Sequence, residues 1–331
     1  MTDSRFIDGV LVQSGERLFF PNNRRVSQTS TPCLSAPTIG ARAAVIRARI
    51  ESTIRRAPQV MIKVTGGGRG MAAVAAHMRY ISRNGRLPME NEQGAEREGK
   101  EAMHDLVDQW RLGGSHIGER SERREAFNIM LSMPRGTDPL IVQRAAREFA
   151  RAEFADHRYV MVLHDHQANP HVHLSVKAES RRGKRLNPRK ADLQRWRETF
   201  AEKLRGWGVD AEATRQATRG QLRAYPDLWR AKAQADGRLR QPLDRAKSGE
   251  RFKESRRAAI VSWLQIGKAL ETSDQPRDHE LAASIVKYLQ RTPVVMQHMR
   301  ENPRERQREL PGMAVGRVAD TKGRNEPGLE R

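Results

Sequence analysis

The sequence predicts an α+β fold with a helical C-terminal extension. Short apolar runs end on glycine or proline and are too short for helices. The stretches between them carry apolar residues at helical spacing, and after the last such run the chain turns helical and charged from about residue 246. In chain order, residues 1–56 mix Ser, Thr, Pro, Asn and Arg around brief apolar patches and read as a mobile arm with a short helix over 41–54. Residues 60–64 form an apolar run that Gly66, Gly67 and Gly68 end, which reads as a strand; Ala- and Met-rich residues 71–83 then form a helix closed by Asn84 and Gly85. Residues 98–112 are charged and helical, with a break at Gly113 and Gly114. Residues 127–133 alternate as a half-buried strand does, and Pro134 ends it. Asp138 is placed to cap the next helix, with Pro139 at its first position and Leu140, Ala145, Phe149 and Phe154 along its apolar stripe. Strands at 159–163 and 172–178 follow, then an amphipathic helix over 191–206.

This order divides the chain into the arm at 1–56, a mixed domain at 57–245, a helical extension at 246–300 and a polar tail at 301–331. The 331 residues hold 61 Lys and Arg against 40 acidic residues, a net charge of +21. A field of that sign attracts polyanions, so nucleic acid is the expected partner. One cysteine, Cys33, excludes a disulfide framework and a cysteine-rich zinc module, and fits a reducing cytoplasm. No apolar run approaches the ~20 residues that span a bilayer, so no membrane insertion is expected.

Four of the ten histidines fall in the string HDHQANPHVH: His164, His166, His171 and His173. His171 and His173 are two apart on a predicted strand, so their rings share a face while Val172 points to the other. His164 ends the preceding strand, and the loop 165–170 returns the chain antiparallel beside it. Three imidazoles converging at such a corner match a divalent-metal site that keeps positions open for substrate or water. A structural site closed by His166, or a histidine-rich loop without metal, are the other readings of the spacing. In so basic a chain a metal suits a phosphodiester, because it neutralises charge on the non-bridging oxygens.

The pair His171–Val172–His173 within HDHQANPHVHL resembles the histidine-hydrophobic-histidine motif of the HUH endonucleases, and the whole string is similar to the third motif of plasmid relaxases, the mobilisation nucleases. Upstream, HMRYISRNG over 77–85 resembles their tyrosine-bearing first motif, especially in the branch related to the nuclease that nicks T-DNA borders, and LSMPRGTDP is also similar to that branch. The resemblance covers about residues 57–215. It implies a five-stranded antiparallel sheet flanked by helices, a metal held by His164, His171 and His173, and Tyr80 as nucleophile. The activity it implies is cleavage of one strand at a transfer origin through a 5′-phosphotyrosine, with rejoining after transfer. Mn²⁺ or Mg²⁺ is the expected ion in function, although imidazoles also suit Zn²⁺ and other transition ions. Implied partners are origin DNA, single-stranded at the nick, with relaxosome accessory proteins and a type IV secretion coupling protein. Many relatives carry Asp where this chain has His166.

Of four tyrosines, Tyr159 falls on the strand before His164 with the opposite parity, and Tyr225 and Tyr288 lie outside the matched region. Tyr80 sits near a helix end beside Arg79, Arg83 and Arg86, cations that would favour a phenolate and hold DNA phosphates. His77, one turn before it, is a candidate general base; Asp165 and His166 are candidates for orienting the ligand histidines. The turn with Arg181, Arg182, Lys184 and Arg185 follows the second ligand strand and is a candidate DNA-backbone contact. A replication initiator or transposase with the same histidine motif, and a non-enzymatic basic DNA-binding accessory protein with a structural metal site, are the competing functions.

Overall fold

The computed structural model describes residues 4–20, 39–222, 233–234, 236–238 and 249–301. In chain order these form α1 (Ser4–Phe19), α2 (Ile39–Ile54), β1 (Met61–Gly66), α3 (Met71–Ile81), β2 (Met89–Asn91), β3 (Glu96–Arg97), α4 (Lys100–Leu112) and β4 (Ala126–Ser132). Next come α5 (Pro139–Glu153), β5 (Tyr159–His164), β6 (His171–Lys177), α6 (Lys190–Gly206), α7 (Glu250–Glu271), α8 (Pro276–Gln290) and α9 (Pro293–Glu301). The α+β class and the helical C-terminal extension are as the sequence predicts. The polar tail, beyond Glu301, and Tyr225 lie outside the described residues.

One antiparallel sheet runs in the order β1-β4-β6-β5-β2-β3. Five strands make the expected sheet, and the two-residue β3 adds a short edge. The hairpin β2–β3 escaped the sequence reading because MENEQGAER has too few apolar residues to signal a strand. Glu90 is nonetheless buried there, clamped by the Arg147 guanidinium of α5. Strand β6 is central and buries all seven of its residues. One face of the sheet packs on α5 and α6 through Ile129, Leu131, Phe149, Leu174, Trp196 and Phe200. The other face packs on α3 and α4 through Val74, Met78, Ile81, Trp110, Val160 and Val162. The Asp138 carboxylate accepts from the Leu140 N–H at 2.8 Å, the cap expected for α5.

The expectation of a mobile arm over 1–56 does not describe residues 4–20 and 39–54. The helix expected over 41–54 is present as α2, α1 precedes it, and with α7 and α8 they enclose a second core around Leu11, Phe19, Ile46, Ile50, Trp263 and Ile285. The apolar stripe of α1 is narrow, and besides α2 its partner α7 lies more than two hundred residues away, so the local sequence shows no reason for order. Gly15 lets α1 and α2 cross closely, since a Cβ there would meet Ile46 at 2.6 Å. Arg49 of α2 ties this helical core to the sheet domain. Its guanidinium binds Glu198 of α6 at 2.7 Å and the buried Glu212 at 3.3 Å, beside the rings of Phe19 and Phe20. Removing one partner of a buried pair strands the other charges, so Arg49→Ala is expected to cost about 3 kcal/mol, measured by urea unfolding. A loss under about 0.5 kcal/mol would show that the two cores do not depend on this junction.

Candidate metal and nucleophile site

The histidines meet at one end of the sheet because the register puts them there. His164 pairs with His171 across β5–β6, and Val162 pairs with His173. Ring centroids of His164 lie 5.1 Å from His171 and 4.6 Å from His173. One ligand atom from each of these three buried residues lies within 4.8 Å of the others.

Hydrogen bonds fix two tautomers. His164 Nε2 donates to the Ile81 carbonyl at 2.7 Å, and His171 Nδ1 donates to the Asn169 carbonyl at 3.0 Å. A carbonyl only accepts, so in each ring the other nitrogen keeps its lone pair for a cation. His173 Nδ1 is buried without a hydrogen-bond partner. Burial pushes the His173 pKa down to about 3 and lowers that of His164, so both rings are neutral at pH 7, the form that binds a metal. This donor set, all imidazole with two rings oriented by backbone carbonyls, fits a divalent transition ion.

The carbonyls of Ile81 and Asn169 take the orienting part considered for Asp165, which is exposed and makes no hydrogen bond to these rings among the described residues. A backbone carbonyl leaves no mark in a sequence motif, so neither was legible there. His166 is exposed, with its ring 5.1 Å from that of His164, and lies outside the buried trio. Restoring the residue common in relatives, His166→Asp, is therefore expected to keep strand cleavage within about tenfold of wild type in a gel assay. Loss of metal affinity equal to that of His171→Ala would make His166 a fourth ligand.

Helix α3 brings the tyrosine. Its C-terminus is turned by Arg83, Asn84 and Gly85, all at positive φ. Gly85 is also a steric requirement, since a Cβ there would sit 2.4 Å from the Gly99 carbonyl oxygen. The buried Ser82 hydroxyl accepts the Gly85 N–H at 3.0 Å and holds the turn. The Ile81 carbonyl, one residue after Tyr80, is the group that binds His164, so the tyrosine helix and the histidine strands are joined directly. The rings of Tyr80 and His77 each lie 6.3 Å from that of His173, and 6.3 Å from each other. Tyr80 is 69% exposed, whereas Tyr159 is buried in the sheet core and Tyr288 in the helical core. His77 Nε2 is buried without a hydrogen-bond partner, and burial pushes this ring's pKa down to about 4.

The two basic clusters separate in space. Arg79, Arg83 and Arg86 are exposed at the histidine end and form no ion pair among the described residues; the Arg83 charge reaches His164. The turn at 181–185 follows the far end of β6, about 20 Å along the strand from His171. Proximity in sequence was therefore misleading. Three of its cations are also answered by acids: Arg185 by Glu125 and Glu179, Arg181 by Glu92 at 3.1 Å, and Arg182 by Asp156 at 3.5 Å. Only Lys184 of this cluster has no ion pair among the described residues. The double change Arg83→Ala with Arg86→Ala is expected to weaken single-stranded DNA binding about tenfold and to flatten its salt dependence, while Arg181→Ala with Arg182→Ala changes it less than about twofold. Titration at fixed salt decides, and the reverse order would move the DNA path to the other end of the sheet.

Residues 80–209, which include Tyr80 and all three histidines, match the family described as relaxase, MobA/VirD2-like, nuclease domain. No curated protein matches the chain.

Proposed function

From the premise that residues 80–209 place this chain among the relaxases of the HUH superfamily, we propose that it is a strand-specific DNA transesterase that nicks a transfer origin through Tyr80 and later rejoins the strand. One observation carries the reading: an exposed tyrosine stands 6.3 Å, ring to ring, from His173 of a buried cluster of three converging histidines.

The steps follow from the residues. Arg79, Arg83 and Arg86 hold the DNA backbone so that one phosphodiester lies between Tyr80 and the histidines. Tyr80 Oη attacks phosphorus; an Oη–P bond forms as the bond from phosphorus to the 3′ oxygen breaks. The phenolic proton is lost and the departing oxygen gains one, which leaves a free 3′ hydroxyl and a 5′-phosphotyrosine. One ester replaces another, so the bond energy is kept and the reverse attack reseals the strand. A divalent ion held by His164, His171 and His173, Mn²⁺ or Mg²⁺ in function, would neutralise charge gathering on the non-bridging oxygens. His77, one turn from Tyr80 on the same helix face, is a hydrogen-bonding partner for the phenol. A ring so reluctant to protonate is a poor proton store, so orientation suits it better than general-base duty.

Among the described residues no helix is long and apolar enough to cross a membrane. The reaction is assigned to the cytoplasm, where origin DNA, relaxosome accessory proteins and a secretion coupling protein would meet it. The experiment is incubation with supercoiled plasmid carrying the element's own transfer origin, with Mn²⁺, with Mg²⁺ and with a chelator. Open circles bearing protein at one 5′ end, formed only with metal, are the expected result. Binding without nicking would favour an accessory protein with a structural metal site.

A further inference from the structure

Helices α3 and α4 do not cover the whole of their sheet face. On this face β6 presents His171, His173 and Ser175, and the paired β4 positions are Ser132, Met130 and Asn128. Beyond them β1 presents Met61 and Lys63 opposite Ser132 and Met130. Met61, Lys63 and Thr65 are exposed and Met130 and Asn128 half-buried, whereas the opposite-facing Ile62, Ile129 and Leu131 are buried against the other helical layer. The outcome is an open trough whose floor is β1 and β4 and whose head is His173, with Tyr80 and His77 above it.

The chemistry of this floor suits a single nucleic-acid strand. None of the named floor positions is acidic, and Arg79, Arg83 and Arg86, which form no ion pair among the described residues, stand at the head. Met61 and Met130 offer pliable apolar contact to base faces. Asn128 is the one amide on the floor, and in the conformation it adopts the Ser175 hydroxyl donates to Asn128 Oδ1 at 3.3 Å. Its Nδ2 is thereby left as the donor toward the trough. The backbone beside it is Gly66, where an added Cβ would sit 3.9 Å from Nδ2, so no side chain shields the amide on that side. Ser175 is two residues from His173 on one face of β6, so Asn128 stands about 7 Å along the floor from the level of His173.

We infer that Asn128, oriented by Ser175, reads one base beside the scissile phosphate and prefers a keto base, guanine or thymine, whose O6 or O4 accepts from Nδ2. The inference rests on the nicking activity proposed above and adds to it a specificity residue. Adenine and cytosine present amino groups at the corresponding edge and would meet donor against donor.

The test is cleavage of a single-stranded oligonucleotide library, randomised over the bases around an origin's nick and presented to the full chain with Mn²⁺, with the covalently captured products sequenced. Wild type is expected to show a preference of about tenfold for G or T at one position flanking the cut. Asn128→Ala should reduce it below about threefold at that position alone, with the overall cleavage rate kept within about fivefold. Asn128→Asp, which presents only acceptors, should turn the preference toward A or C. Ser175→Ala should weaken the preference by freeing the amide to flip. Unchanged base preference in Asn128→Ala and Asn128→Asp, with wild type cutting normally, would overturn the inference and leave the nicking activity standing. No cleavage by wild type would overturn both.

Discussion

Tyr80→Phe is expected to lower strand cleavage by at least about a thousandfold and to abolish the covalent protein–DNA product, while affinity for single-stranded DNA stays within about twofold. The separation follows from the geometry. Removing one hydroxyl from a side chain that is 69% exposed takes nothing from the cores, and it leaves Arg79, Arg83 and Arg86 where they were. Tyr159 and Tyr288 are buried in other parts of the molecule and cannot substitute. Cleavage near the wild-type rate in this variant, read on a denaturing gel, would place the nucleophile elsewhere.

His171→Ala and His173→Ala are each expected to lose divalent-metal binding by more than about a hundredfold, since even a group that merely orients a ligand is worth 10–100-fold. Cleavage should fall with it. The fold should remain, because β6 is hydrogen-bonded on both sides, to β4 along its whole length and to β5 over six positions. Thermal unfolding with and without chelator checks this. A melting point that collapses on chelation would make the metal structural rather than catalytic.

The site was legible in the sequence where chemistry forces spacing. Two histidines at i and i+2 must share a strand face, and the polar loop 165–170, which ends on Pro170, must return the chain, so the trio His164, His171 and His173 could be assembled from residues 159–178 alone. Tyr80 was reachable only through the resemblance of HMRYISRNG, since nothing in an isolated helix says which strand end it will meet. What brings it there, the Ile81 carbonyl on His164 and the left-handed turn at Arg83 to Gly85, depends on backbone geometry. The turn at 181–185 misled because a strand carries its two ends apart: residues adjacent in the chain to His173 lie at the other end of the sheet. In the fold, α5 announced itself by Asp138, Pro139 and a clear apolar stripe. Helix α1 did not, and α2 was expected only as a short helix over 41–54 in a mobile arm, because their order comes from packing against α7 and α8 and from the Arg49 ion pairs, interactions between distant parts of the chain. Asn128 fell inside a predicted strand and carried no motif; its exposure appears only once the helices are seen to leave β1 and β4 open.

The most direct test of the nuclease reading is to identify the residue that carries DNA. Wild-type protein is incubated with Mn²⁺ and single-stranded DNA spanning the origin, the covalent complex is isolated under denaturing conditions, and the protease-released peptide is mapped by mass spectrometry. The nucleotide is expected on Tyr80, attached through its 5′ phosphate, in the peptide that also contains Ile81 and Ser82. A nucleotide on any other residue, or cut DNA with no covalent protein, would contradict the account.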